Sequence, residues 1–403
     1  MRRTLVASAI LATLLTMPLS MAAVPQVSAA GPTDSDRASQ ALSYLLAAQK
    51  TDGSIDGSIG ETADFVIGTA AAGYDPSTLT GCSGTTSALS YLAGASDGAI
   101  GDAAKAGKTI LAVVAAGGNP ASFAGRDLVA RLAALYNSTT GAYGDGSTFS
   151  QSFAILAVVA SGGSVPAAGS DELAARQDTD GSWSHGSAPV AAGGGDTNST
   201  AIALMALNVA GVHTADSTGL AYLHTQQIAD GGFLYSSAYG PPADPDSDST
   251  VIEALVANGQ NPEAAGWAQG SNNVLTDLRT YQGVDGGFTY PGKKSEDAFT
   301  TSQVPAALMQ VPYGAAVRFT AGTSVPTTDC AAPNPTSGAG VNRTPATTST
   351  VTNQSQPGGS APLLAALTCV AFSAMGLAAV EAQRRGVVDR ANGKRGDNAN
   401  SKR

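Results

Sequence analysis

Apolar residues between positions 36 and 313 fall into two alternating kinds of segment. The first is amphipathic, as in Ala41-Leu42-Ser43-Tyr44-Leu45-Leu46-Ala47-Ala48 and Leu128-Val129-Ala130-Arg131-Leu132-Ala133-Ala134-Leu135; apolar positions at this spacing predict a helix with one buried face. The second is apolar almost all round, as in Phe153–Val159, Ser199–Leu207 and Val251–Val256. A helix of that composition is buried on every side. Alternation of the two predicts an outer and an inner helical layer.

Between the two kinds stands a recurring turn of the form Gln-x-x-x-Gly-x-aromatic, intact or degraded: Gln49/Gly53/Ile55, Gly94/Gly98/Ile100, Asn137/Gly141/Tyr143, Gln177/Gly181/Trp183, Gln227/Gly231/Phe233 and Gln282/Gly286/Phe288. Successive glycines lie 45, 43, 40, 50 and 55 residues apart, a period characteristic of helical-hairpin repeats. An all-α ring is therefore expected, an α6/α6 toroid of six hairpins over residues 31–325, with the pair around Ala88–Gly117 the least regular. Each glycine is expected to end its outer helix in the left-handed conformation.

Outside the repeats the pattern changes. Arg2 and Arg3 precede an apolar run from Leu5 to Leu19, and Val27-Ser28-Ala29-Ala30 offers small residues for cleavage, so residues 1–30 read as a signal peptide. The same arginines fit a loose twin-arginine pattern. Residues 361–380 form an uncharged run of 20, long enough as a helix to cross a hydrocarbon core about 30 Å thick. Arg384, Arg385, Arg390, Lys394, Arg395, Lys402 and Arg403 follow it, which places the tail 381–403 in the cytoplasm. A cleaved sorting signal is the rival reading, and no LPxTG-like motif precedes the run. Residues 326–360, rich in Pro, Thr, Ser, Gly and Asn, are expected to be a flexible stalk. The ring would then stand on the outer face of a membrane held by one span.

Residues 31–360 carry 12 basic and 28 acidic side chains, a net charge of −16. That excludes nucleic acid and anionic lipid as partners of the ring. Of the three cysteines, Cys369 falls in the apolar run, leaving Cys82 and Cys330 outside; in an oxidising compartment these two are expected to pair.

The segment Gln177-Asp178-Thr179-Asp180-Gly181-Ser182-Trp183 resembles the QW motif of the prenyltransferase and squalene-oxidase repeat, and its five relatives carry the resemblance over residues 36–313. That superfamily includes class II terpene cyclases, protein prenyltransferase β subunits, thioester domains of complement-like proteins and cobalamin carriers of the intrinsic-factor type. The resemblance implies the toroid and does not choose among the functions.

Each function has its own test. Class II cyclases protonate their substrate with the middle acid of D-x-D-D, where this chain reads Asp246-Ser247-Asp248-Ser249. Asp248 would be the donor by position; the alternative is that it caps an inner helix, as Asp196 does. The zinc set of the prenyltransferases has no counterpart, since His185, His213 and His224 are not grouped with a cysteine. Cys82 sits in Thr80-Gly81-Cys82-Ser83-Gly84, not in the C-G-E-Q of thioester domains. Asp244, Asp246 and Asp248 alternate as calcium ligands would, but Ser249 and Leu255 break the EF-hand pattern.

A binding role is favoured over catalysis, with no cofactor. Inner helices that all follow the same kind of loop should start at one rim, bringing together Trp183, His185, Asp196, Asn198, Tyr235, Tyr239, Asp246, Asp248, Tyr290, Asp297 and Thr301 as a ligand mouth. Trp183, Phe233 and Phe288 have a packing role as their alternative. The expected partner is a small molecule, cobalamin-like if the resemblance to intrinsic factor holds, or a component of the cell envelope. The alternatives are a divergent cyclase or polysaccharide-lyase-like enzyme, and a structural surface or adhesion head.

Overall fold

The computed structural model describes residues 31–326 except 83, 85, 96, 188–193 and 316–318. The expected signal peptide, the stalk beyond Pro326, the apolar run 361–380, the basic tail and Cys330 lie outside the described residues. Among the described residues no helix is long and apolar enough to cross a membrane.

Among the described residues twelve α-helices follow one another in pairs: α1 (Asp34–Ala48) and α2 (Ile59–Ala71), α3 (Ala88–Gly94) and α4 (Ala103–Ala115), α5 (Leu128–Ala133) and α6 (Thr148–Ala160), α7 (Ala167–Ala174) and α8 (Thr197–Val209), α9 (Asp216–Gln226) and α10 (Pro245–Ala257), α11 (Val274–Leu278) and α12 (Ala298–Leu308). Even-numbered helices pack on one another in chain order, and α12 packs back on α2, so their contacts form a closed cycle. Odd-numbered helices lie against the even helix that precedes them. α1 has no predecessor and packs on α12, which closes the second layer too. A two-residue antiparallel pair, Ala268–Gln269 with Asn272–Asn273, leads into α11.

Every even helix starts at a short polar residue whose side chain accepts a backbone N–H of the first turn: Ser58, Asp102, Ser147, Asp196, Asp244 and Asp297. Such a cap satisfies a donor that the helix cannot. The apolar bodies behind these caps supply most of the core, including Ile155, Leu204, Ile252 and Val304.

The recurring turns connect the two helices of each pair, and the glycine acts in them differently from expectation. α1 ends at Gln49 in an extended conformation, and Gly53 lies four residues further on with φ +89°. The glycine therefore shapes the turn and does not cap the helix. Its second reason is space: a Cβ on Gly286 would stand 2.6 Å from the Gln40 carbonyl oxygen of α1.

The glutamine is the brace. Gln177 Nε2 donates to Gly181 O at 3.0 Å and to Ala215 O at 3.1 Å, tying its own turn to the start of α9. Gln49 and Gln227 each make the same pair of hydrogen bonds, to Gly53 O and Leu79 O and to Gly231 O and Trp267 O, and Gln282 reaches Gly286 O and, across the seam, Arg37 O at 2.9 Å. Asn137 is too short for this. Gln151 of α6 replaces it, donating to Gly141 O and Gly169 O. The second pair lacks the glutamine altogether; Gly94 is the last residue of α3.

Candidate functional site

The loops entering the even helices are stitched edge to edge. Thr148 at the start of α6 donates its hydroxyl to Ser184 O in the loop before α8, and Thr197 at the start of α8 does the same to Leu234 O in the loop before α10, each at 2.6 Å. Tyr290, before α12, donates its hydroxyl to Asp244 Oδ2 at 3.3 Å. These contacts line up the N-termini of α6, α8 and α10 and the loop into α12 along one edge.

The predicted site residues separate into three groups on this rim. His185, Tyr235 and Tyr239 face solvent, with Tyr239 69% exposed and 5.9 Å from the Tyr235 ring. His185 lies 5.1 Å from Phe149. Tyr290 is half-buried beneath Lys293. Asn198 is half-buried in the first turn of α8.

Asp196 and Asp297 are caps: they accept from Ser199 N at 2.7 Å and Thr300 N at 2.9 Å. Burial pushes the Asp196 carboxyl up against the pull of its Ser199 bonds.

Trp183, Phe233 and Phe288 are wholly buried, so Trp183 leaves the ligand set and the packing role stands for all three. Behind each ring its own backbone N–H donates inward: Trp183 to Thr200 Oγ1 at 3.0 Å, Phe233 to Asp248 Oδ1 at 2.6 Å and Phe288 to Thr301 Oγ1 at 2.8 Å. Ile55 to Thr62 and Tyr143 to Gln151 complete the series. In each case the acceptor is the fourth residue after the cap.

This register corrects two expectations at once. Thr301 is a structural brace and not a mouth residue. Asp248 is not the cap of α10, because Asp244 is, accepting from Asp246 N at 2.9 Å. Asp248 occupies the position held elsewhere by Thr62, Gln151, Thr200 and Thr301. Burial, then the Asp277 charge, hold Asp248 well above the usual carboxylate range. Asp246 is also pushed up, by burial and then by Asp244 and Asp297. The three aspartates point to different neighbours, and among the described residues no group of three or more His, Cys, Asp or Glu could hold a metal.

Between the even-numbered helices lies what sequence reasoning missed. A cavity of about 30 Å³ is lined by Lys108, Phe149, Phe153, Ile202, Ser249, Thr250, Glu253, Gln303 and Tyr313. Lys108 Nζ lies 2.6 Å from Asp64 Oδ2, and Tyr313 donates its hydroxyl to Asp64 Oδ1 at 2.6 Å. The Tyr313 backbone N–H donates to Glu253 Oε2 at 3.0 Å. Its ring stands edge-on to Phe153 at 5.3 Å, with Lys108 over both rings. Burial, then Asp64, hold the Glu253 carboxyl well above its ordinary range. Glu61, in the first turn of α2, is pushed up to about 7 by burial and by Asp56 and Asp64. The available signal was a charge beside or within each helix's apolar stretch: Asp64 before Phe65–Ile67, Lys108 before Ile110–Val114 and Glu253 between Ile252 and Ala254. Tyr313 had none, since it arrives from the segment after α12.

Cys82 is disulfide-bonded; its expected partner Cys330 lies outside the described residues.

No protein-family model matches the chain, and no curated protein does. Among solved structures, the type II terpene cyclase MstE from Scytonema in its apo form is 15% identical, with a TM-score of 0.48 over 69% of this chain and 98% of that one. A variant of MstE in complex with its substrate geranylgeranyl dihydroxybenzoate is 14% identical, with a TM-score of 0.48 over 69% and 97%. A further variant, bound to the product merosterolic acid A, is 15% identical, with a TM-score of 0.48 over 69% and 96%. Likeness at this level is silent on chemistry.

Proposed function

We propose that this chain is an exported, membrane-anchored α6/α6 toroid that acts as a rigid surface head, contacting a component of the cell envelope through its rim. The observation that carries this reading is the filled lumen. Asp64, Lys108, Glu253 and Tyr313 satisfy one another there and leave about 30 Å³. Small-molecule sites enclose roughly 300–1,000 Å³, so this cavity is too small for a corrinoid or a polyprenyl chain. The donor expected of a cyclase, Asp248, is fully buried and engaged with Phe233 N–H at 2.6 Å and is absent from the cavity lining. What the rim offers instead is exposed aromatic surface at Tyr235, Tyr239 and Phe299. A disulfide at Cys82 fits an oxidising compartment, which supports export.

Two measurements test the reading. Thermal shift of the full-length protein in detergent against cobalamin and geranylgeranyl diphosphate should show no stabilisation by either. Binding to isolated cell envelopes should fall about tenfold, about 1.4 kcal/mol, in Tyr235→Ser/Tyr239→Ser with the melting temperature unchanged. A corrinoid-dependent rise in melting temperature, or an isoprenoid turnover abolished by Asp248→Asn, would sink it. Digestion of intact cells by an added protease should remove the ring and spare the basic tail.

A further inference from the structure

The chain that leaves α12 passes between the even-numbered helices on its way to Pro326. Gln310, just past the helix, is left-handed with φ +54°, a conformation that ends a helix. Tyr313 follows and is 8% exposed. Its backbone N–H donates to Glu253 of α10, its hydroxyl donates to Asp64 of α2, and its ring stands against Phe153 of α6 with Lys108 of α4 above it. One side chain thus ties together α2 and α10, each of which packs on α12 between them.

The far end of the same segment is fastened to the first repeat. Phe319 lies beside the turn after α4, where a Cβ on Gly117 would meet its ring at 3.7 Å. Thr320 N–H donates to Gly73 O, just past α2, at 3.2 Å. Asp75 holds the chain twice: its N–H donates to Thr323 O at 2.8 Å, and its Oδ2 accepts from Gly322 N–H at 2.7 Å. Val325 is 3% exposed, and the Ser43 hydroxyl of α1 donates to Pro326 O. Residues 311–315 and 319–326 include no helix or strand. A stretch of that kind keeps its place only through such bonds and contacts, against the entropy of the free chain. Release of one end leaves the other to hold alone.

We infer that residues 311–315 and 319–326 act together as a strap from the last repeat to the first, which keeps the Asp64–Lys108–Glu253 cluster covered. Loosening its outer end at Asp75 withdraws Tyr313 and opens the cluster to solvent. The inner helices do not cover these groups by themselves, because the donors that satisfy Asp64 Oδ1 and Glu253 Oε2 both belong to Tyr313. The strap is independent of what the rim binds.

Two readouts on the full-length protein test this. In Asp75→Ala, hydrogen–deuterium exchange of 309–315 should rise about tenfold together with that of 319–326, while 197–209 stays as in the wild type. Trace acetylation reads the opening directly. The Lys108 side chain is 18% exposed and that of Lys105, on the same helix, 42%, so labelling of Lys108 should rise about tenfold relative to Lys105. Ser43→Ala removes the bond to Pro326 O, leaves the Asp75 turn intact and should move both readouts in the same direction; it also serves if Asp75→Ala does not fold. A segment 319–326 that loosens while 309–315 and Lys108 behave as in the wild type, or that loosens in neither variant, overturns the strap.

Discussion

Trp183→Ala should cost about 3–5 kcal/mol of unfolding free energy, the range for emptying a fully buried large aromatic site. The side chain has no exposed surface, and its indole N–H donates to Leu173 O at 2.8 Å, across the layer to α7. Truncation leaves a cavity and removes one of that carbonyl's hydrogen bonds, the Arg176 N–H still donating to it at 3.2 Å, so a lost bond adds to the packing loss. Neighbouring α8 cannot collapse into the gap freely, because Thr200 holds the Trp183 backbone and Thr197 is tied to Leu234. Urea denaturation followed by far-UV circular dichroism measures the change, with Tyr239→Ala as the exposed control expected within about 0.5 kcal/mol. A loss below about 1 kcal/mol in Trp183→Ala would mean the ring does not rest on that aromatic. Trp183→Phe should recover most of the packing and remain short by the hydrogen bond.

Two periodicities made the helical layers readable in advance. Segments apolar on one face became α1 and α5, and segments apolar all round became α6, α8 and α10. The glycine-aromatic turns were equally visible, because a left-handed backbone position and a large buried ring each demand a narrow choice of residue. What the glutamine does was not visible. A side-chain amide bonded to two carbonyls, one of them about 40 residues ahead as from Gln177 to Ala215, leaves no local pattern. The same limit explains Asp248. Three alternate aspartates before an apolar run look like a cap or a metal loop, and only the register of α10 shows that Asp244 caps while Asp248 braces Phe233. Export and anchoring rest on segments outside the described residues. They stand as proposals, supported by the disulfide at Cys82.

Lys108→Met should cost about 3–5 kcal/mol, because it removes one partner of a buried ion pair and leaves the other charged. The side chains of Lys108 and Asp64 are 18% and 4% exposed, so water cannot take the ammonium's place on Asp64. Tyr313 alone would remain, with its hydroxyl on Oδ1. If the penalty comes from the stranded charge, the double variant Lys108→Met/Asp64→Asn should regain most of it: the amide oxygen still accepts from Tyr313 and carries no charge. The coupling between the two substitutions is then the measurement, taken from chemical denaturation of both single variants and the double. It also discriminates between the readings of the ring. Groups kept for a ligand need not satisfy one another, and replacing one of them alters binding while the fold persists. Groups that pack the lumen closed show the opposite: strong coupling in stability and no change in what the rim binds. A Lys108→Met protein as stable as the wild type but deficient in capturing a small molecule would return the lumen to the list of binding sites and remove the rigid head.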